Sequence, residues 1–358
     1  MNAPDWNDVT RLLVVRLDGL GDLLMTGPAI SALKNAVPRR TITALVSSAG
    51  AACAQLMPDI DDIIVYDAPW MKGTPYQAES DRAFIDRLRS LGFEGAVLFT
   101  VFSQSPLPSA LMCRLAGIPR CAAYCRENPY QLITTWLLET EPQDGIRHEV
   151  TRQRNLAIAL GASQGDDRLT LALRAEAVQW AARWRRPGRP LVVLHPGASA
   201  PSRRYPESSY AQAIQLLEQE LDAYCIVTGS FGERDLLWQV KAEARSDCPV
   251  LSDLSLERFA ALLKSADVVV TNNTGPAHIA AAVGAPVVVL YALTNPQHAP
   301  WRARSRVLSA DVPCRHCYKS QCPTGHHRCL RDVSPRQVVD AVTELLLDYG
   351  AEIRRALC

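Results

Sequence analysis

Short apolar runs alternate with longer segments of helical spacing almost from end to end. Such alternation predicts βαβ units, with parallel strands covered on both faces by helices. In the first half, Leu12–Arg16, Thr41–Val46, Ile63–Tyr66 and Ala96–Thr100 predict strands, with helices near 22–36, 80–91 and 107–116. The second half repeats the grammar: strands at Leu191–His195, Ala223–Thr228, Val250–Leu251, Val268–Thr271 and Pro286–Tyr291, helices near 207–220, 232–245, 255–264 and 275–283. Between them, Trp184–Pro190 (W-R-R-P-G-R-P) breaks both patterns and reads as a domain boundary. The chain is therefore expected to be α/β, with two Rossmann-like, doubly wound parallel-sheet domains at 1–185 and 190–334. A last helix near 335–348 places Val338, Val339, Val342, Leu345 and Leu346 at helical spacing. The segment 335–358 either straps the two domains together or lies on the nearer one.

The length of 358 residues suits about two domains of roughly 100–200 residues each, and 48% hydrophobic with 21% charged residues describes an ordinary globular chain. The formal net charge of +1 hides a division: residues 1–150 hold 13 Lys/Arg against 17 Asp/Glu, and residues 151–358 hold 25 against 20. A local anionic ligand in the second half fits that balance, and no nucleic-acid track is called for. No apolar run of about 18 residues appears, and the opening M-N-A-P-D-W-N-D is acidic rather than signal-like, so a cytoplasmic location is expected. Of eleven cysteines, seven are scattered through segments such as Leu111–Leu115 and Tyr224–Val227, where a small buried thiol is the natural reading.

Candidate chemistry gathers where predicted strands end. At 267–284, D-V-V-V-T-N-N-T-G-P-A-H-I-A-A-A-V-G carries a buried strand through a small-residue turn into an Ala-rich helix. An Asn or Thr of the turn Thr271, Asn272, Asn273, Thr274 can cap that helix, Gly275 admits a close neighbour, and Pro276 fits the first helical position. The free N–H groups of the first turn suit a phosphate, and His278 adds a titratable donor one turn in; a turn that merely caps its helix is the alternative. The first predicted strand runs into R-L-D-G-L-G-D, residues 16–22. Gly19 and Gly21 make a G-x-G, but Leu24 stands where a dinucleotide fingerprint needs its third glycine. What remains is a turn that presents Asp22 at a helix start, ionised and able to act as a base or simply capping, with Asp18 the weaker candidate.

The loop H-P-G-A-S-A-P-S-R-R at 195–204 supplies His195, Gly197, Ser199, Arg203 and Arg204, and paired guanidiniums suit phosphate oxygens unless they are only solvated. A third loop, T-G-S-F-G-E-R-D at 228–235, offers Gly229 for close backbone approach and Glu233 for a ribose or exocyclic group. Loops at three strand ends of one doubly wound sheet converge on one crevice. Near the C-terminus, Cys314, Cys317, Cys322 and Cys329 lie in C-x2-C-x4-C-x6-C spacing with His316, His326 and His327 among them. Four soft ligands so close can fold around a structural zinc, although the spacing is shorter than a zinc ribbon's; thiols that are reduced, or redox-paired to pin a loop, are the alternative.

Taken together, R-x-D-x-x-G-D, H-P-G with R-R-Y-P, and T-N-N-T-G-P-A-H before an Ala-rich helix resemble glycosyltransferase family 9, which contains the lipopolysaccharide heptosyltransferases. The resemblance spans nearly the whole chain, the Cys-rich segment included. It implies the GT-B architecture, two domains facing a cleft, and an inverting transfer with no metal or other cofactor required for catalysis. It also implies a nucleotide-diphosphate-sugar donor, most often ADP-heptose, on the C-terminal domain, and a lipid-linked oligosaccharide acceptor on the N-terminal one. Peripheral contact with the cytoplasmic face of the inner membrane follows from such an acceptor. Residue by residue, Asp22 matches the general base and Gly21 and Asp18 belong to its acceptor-side turn. Arg203 falls where many members have a lysine that neutralises the departing diphosphate, and Thr274, Gly275 and His278 match the turn that cradles diphosphate and sugar. Asn273 stands where heptosyltransferases usually carry aspartate, and so removes a carboxylate expected to hold sugar hydroxyls. Another nucleotide-sugar enzyme of this architecture, such as an epimerase, and a non-catalytic nucleotide-sugar or zinc-binding protein are the alternatives.

Overall fold

The computed structural model describes residues 5–294 and 296–356. Two compact units divide between Ala172 and Leu173. The first contains β1 (Arg11–Arg16), α1 (Leu20–Ala36), β2 (Thr41–Val46), α2 (Ser48–Ala54), β3 (Asp62–Val65), α3 (Ala78–Ser90), β4 (Gly95–Leu98), α4 (Leu107–Leu115), β5 (Arg120–Cys125), β6 (Thr135–Leu138) and α5 (Glu149–Ala159). Its six strands run parallel in the order β3-β2-β1-β4-β5-β6. The order reverses beside β1, so the carboxyl ends of β1 and β4 flank the crevice that a doubly wound sheet leaves for ligands. Leu12 to Val15 of β1 and all of β4 are buried, as strands covered on both faces must be.

The second unit contains α6 (Ala175–Ala182), β7 (Leu191–His195), α7 (Glu207–Leu221), β8 (Tyr224–Gly229), α8 (Arg234–Ala244), β9 (Val250–Ser252), α9 (Leu256–Ser265), β10 (Val268–Asn272), α10 (Gly275–Val283), β11 (Val287–Leu290), β12 (Ser305–Leu308), α11 (Arg328–Arg331) and α12 (Pro335–Ala356). Its sheet is again six-stranded and parallel, ordered β12-β11-β10-β7-β8-β9, with the reversal between β7 and β10. The three loops singled out in this half leave β7, β8 and β10, which are neighbours in the sheet. Convergence is thus a consequence of strand order.

The strands that the apolar pattern missed are edge or near-edge strands. β6 and β12 are only half covered, and β5 (R-C-A-A-Y-C) is built from small residues that carry little apolar signal. The units part before the Pro/Gly/Arg break at 184–190, because α6 packs on α9: Ala177 and Ala181 bury against Ala261, with Leu173 and Trp180 alongside. α12 lies on α7, β11 and β12, and its Val338, Val339, Val342 and Leu345 join the core of the second unit. Six of the seven scattered cysteines, Cys53, Cys113, Cys121, Cys125, Cys225 and Cys248, are buried, and burial pushes the Cys53 and Cys113 thiols up to about 12, as expected of inert packing residues; the seventh, Cys358, lies outside the described residues.

At the start of β4 the chain needs a glycine for a packing reason. A β-carbon on Gly95 would lie 2.8 Å from the ring of Trp6, which is fixed by its own indole N–H donating to Thr135 Oγ1 at 3.0 Å. Gly95→Ala is expected to cost about 1–3 kcal/mol by overpacking, read as a lower denaturation midpoint with an unchanged slope. An unchanged midpoint would mean that Trp6 moves aside freely.

Candidate active site

In the first unit the site is organised by an arginine. β1 ends in Arg16, whose side chain is 1% exposed, and a buried guanidinium must be surrounded by acceptors. Its Nε lies 2.8 Å from Asp18 Oδ2, its Nη1 2.9 Å from Glu149 Oε1, and its Nη2 3.4 Å from Asp22 Oδ1. Burial works against the charge, and Asp18, Glu149 and Asp22 outweigh it, so the guanidinium is held above its ordinary range. The two aspartates then differ. Both oxygens of Asp18 are engaged, one by Arg16 and one by the Gln104 amide at 2.6 Å, and only 11% of its side chain is exposed. Asp22 is 30% exposed. It sits in the first turn of α1, where the helix N-terminus favours its charge. Gly21 lies in the same turn, since the helix begins at Leu20 rather than at Asp22.

A cleft of about 350 Å³ opens beside this turn, at the carboxyl ends of β1 and β4. Asp18, Trp70, Lys72, Gln104 and Ser105 are among its lining. An indole face with surrounding polar groups suits a sugar ring, whose faces are apolar and whose rim is hydroxylated. Arg16 and Glu149 carried no role in the sequence reading. A clear signal was available for the first: an arginine that closes the otherwise apolar run L-L-V-V must find buried counter-charge. For the second, Glu149, Arg152 and Gln153 fall on one face of a helix at i, i+3 and i+4.

In the second unit Asn272, fully buried, pins the corner. Its amide N–H₂ donates to the carbonyls of Pro196 at 2.8 Å and Gly197 at 3.2 Å, and its carbonyl accepts from the Tyr205 N–H at 3.1 Å. The H-P-G turn and the arginine loop are thereby fixed against the start of α10, which Thr274 precedes in an extended conformation and Pro276 enters in the first turn. Thr274, Gly275 and the N–H groups behind them lie at the carboxyl end of β10, with His278 buried one turn on. Arg203 and Arg204 separate in role. Arg204 Nε donates to the Ala198 carbonyl at 2.8 Å and so braces its own loop, whereas the Arg203 charge reaches Tyr291 at the end of β11. Burial pushes Tyr291 up to about 12, and Arg203 acts in the opposite sense. Ser199 is exposed on the same loop.

The glycines serve the protein itself. A β-carbon on Gly197 would fall within the Glu233 carboxylate, and one on Gly229 would meet Leu237 at 2.9 Å and Glu233 at 3.2 Å. Glu233 accepts from both the N–H and the hydroxyl of Ser230 at 2.8 Å, a capping box on the short 3-10 turn that leads into α8, so part of its hydrogen-bonding capacity is spent locally. Asn273 is turned to the next loop, its N–H₂ donating to the Ala292 carbonyl and to Thr294 Oγ1, both at 3.2 Å. A carboxylate could not donate to Ala292, so the amide is matched to that loop.

The Cys-rich segment is placed at the site by its backbone. Ser202 N–H donates to the Ser320 carbonyl at 3.2 Å, and Tyr318 N–H to that of Leu293 at 2.8 Å, so the segment touches both the arginine loop and the loop that holds Asn273. Cys314 Sγ lies 3.6 Å from His326 Nε2, while His326 Nδ1 accepts from the Arg328 N–H at 3.0 Å. That places the neutral ring's proton on Nε2, facing the thiol. Cys317, Cys322 and Cys329 are free thiols near it, and among the described residues no group of three or more His, Cys, Asp or Glu side chains is arranged to hold a metal ion.

Residues 83–327 match the family model described as glycosyltransferase family 9 (heptosyltransferase). The chain belongs to glycosyltransferase family 9. It is 27% identical over 340 residues to lipopolysaccharide heptosyltransferase 1 of Pseudomonas aeruginosa, covering 91% of this chain and 92% of that one. Among solved structures, a family 9 glycosyltransferase from Veillonella parvula superimposes with a TM-score of 0.80 at 21% identity, covering 96% of this chain and 98% of the other. The ADP-heptose lipopolysaccharide heptosyltransferase II of Escherichia coli gives 0.75 at 22% identity, covering 95% and 99%. The two parallel-sheet units of this glycosyltransferase are those of the GT-B fold.

His195 reports on the packing of the glycosyltransferase corner. Thr228 gives its hydroxyl proton to the Leu194 carbonyl at 3.1 Å, so its oxygen accepts from His195 Nδ1–H at 3.2 Å, and Phe259 closes the other side. Enclosure lowers the pKa to about 4 despite the neighbouring Glu233 charge. The unfolded chain takes up this proton near pH 6.5 and the folded one only near 4, so the stabilising contribution is complete above 6.5 and is lost as pH falls between those values. Against His195→Gln, the wild type should lose about 3 kcal/mol more stability between pH 7 and pH 4. Parallel stability profiles for the two proteins would remove the assignment.

Proposed function

We propose that the enzyme transfers heptose from ADP-heptose to a lipid-linked lipopolysaccharide core acceptor, with Asp22 as general base and Arg203 and the α10 N-terminus as the leaving-group site. The observation that carries this reading is the contrast between the two sheet reversals. One presents the single outward carboxylate of a buried charge cluster beside a sugar-sized cleft; the other presents a guanidinium and a helix N-terminus. Similarity to heptosyltransferases over more than nine-tenths of the chain supports the choice of sugar and acceptor.

The step is a single displacement. Asp22 takes the proton of an acceptor hydroxyl as its oxygen attacks the anomeric carbon, the bond from that carbon to the diphosphate breaks, and the electron pair leaves on ADP. Negative charge grows on the departing diphosphate, and Arg203 together with the Gly275 N–H at the α10 N-terminus stabilises it where it grows, the Thr274 N–H being donated to the Asn272 carbonyl at 2.8 Å. An in-line displacement inverts the anomeric configuration. The acceptor sugar occupies the cleft lined by Trp70, Lys72 and Gln104, and a lipid-linked acceptor brings the enzyme to the cytoplasmic face of the inner membrane. Among the described residues no helix is long and apolar enough to cross that membrane.

Asp22→Ala should slow transfer by about 10²–10⁴-fold while leaving the donor dissociation constant close to that of the wild type. Arg203→Ala should weaken donor binding about tenfold to a hundredfold and slow transfer as well, since a charge-assisted contact is lost. Near-normal turnover in the first variant would move the base elsewhere; an unchanged donor affinity in the second would move the diphosphate. A calorimetric screen of ADP-, GDP- and UDP-sugars tests the donor. Binding confined to ADP compounds is expected, and binding of none would overturn the reading.

A further inference from the structure

The charge cluster behind Asp22 extends well beyond Arg16. Glu149, on the first turn of α5 and 1% exposed, bonds Arg16 Nη1 at 2.9 Å and accepts from the Gln153 amide at 2.6 Å, and its charge also reaches Arg152. Arg152, itself buried, pairs with Glu139 at 2.5 Å, and Arg147 closes on Glu139 at 3.5 Å and Glu141 at 2.5 Å, with Tyr124 beneath both guanidiniums. Burial lowers Arg152, and Glu139, Glu149 and Glu141 offset it in part. On the other side Asp18 is held by Gln104, and His148 caps α5 by accepting from the Val150 N–H at 3.2 Å. Three guanidiniums, Arg16, Arg147 and Arg152, thus face five carboxylates, Asp18, Asp22, Glu139, Glu141 and Glu149, and only Asp22 and Arg147 have about 30% of the side chain exposed.

An arginine beside a base is in itself a disadvantage. A guanidinium 3.4 Å from a carboxylate stabilises its ionised form and weakens it as a proton acceptor. Here the guanidinium is shared with Asp18 and Glu149, both at shorter range. We propose that Glu149 is a positioning residue which, by neutralising Arg16 from the side away from substrate, sets the proton affinity of Asp22. Arg16 then fixes where the Asp22 carboxylate points without removing its basicity. The inference rests on Asp22 being the base.

The experiment is the pH dependence of kcat for wild type, Asp22→Asn, Glu149→Gln and Glu149→Asp, with donor dissociation constants measured alongside. In Glu149→Gln the uncompensated Arg16 charge should move the acid limb to lower pH by about 0.5–1 unit and lower the plateau by about threefold, with donor affinity unchanged. Glu149→Asp keeps the charge but draws it back from Arg16, and should shift the limb in the same direction by less. It is the variant to read if Glu149→Gln fails to fold by circular dichroism. A residue that only held α5 in place would lower kcat without moving the limb, and an unmoved limb in a folded variant overturns the proposal. Turnover that survives in Asp22→Asn overturns instead the assignment of the base.

Discussion

A wholly parallel sheet sends every strand's carboxyl end to the same edge, and where the strand order reverses the connecting loops diverge and leave a crevice. Both units obey that constraint, with reversals between β1 and β4 and between β7 and β10. Asp22, Gln104, Arg203 and the turn at Thr274–Gly275 follow directly from those four strands, while Trp70 and Lys72 come from beyond β3 and Glu149 from α5. The rest of each fold, twelve strands in two sheets with their covering helices, serves to hold these few ends in place.

Within that frame the two sites solve opposite electrostatic problems. In the first unit the proposed base must be ionised yet still basic, and Arg16 is buried among more acids than it can neutralise. In the second, the proposed diphosphate site is a helix N-terminus with Arg203, while Arg204 and Asn272 brace the loops. The same residue type therefore sits differently at adjacent positions: the Arg204 guanidinium braces the Ala198 carbonyl, and the Arg203 charge is felt at Tyr291.

Much of this was legible in the chain. β-Branched runs ending in small polar turns identified β1, β2, β7, β8, β10 and β11, since strands buried on both faces cannot hide their apolar content. Edge strands β6 and β12 escaped, being half exposed, and the division between units escaped because α6 joins the second core through alanines alone. Gly229 was read as allowing close backbone approach, and the space beside it, like that beside Gly197, is taken up by Glu233 and, at Gly229, Leu237. Glycine in a sequence announces a close approach without saying by what.

The sequence by itself determined the class of fold and the order of the motifs, and it nominated Asp22, Arg203 and the turn at Thr274–Gly275 as candidates, because local spacing and turn chemistry are properties of neighbouring residues. Only the tertiary structure decided that Glu149, 133 positions from Arg16, shares its guanidinium, that Asp18 is nearly enclosed while Asp22 stays 30% exposed, and that the Asn273 amide belongs to the loop at Ala292. Burial and charge compensation are set by which distant segments the sheets bring together, and no pattern along the chain records that.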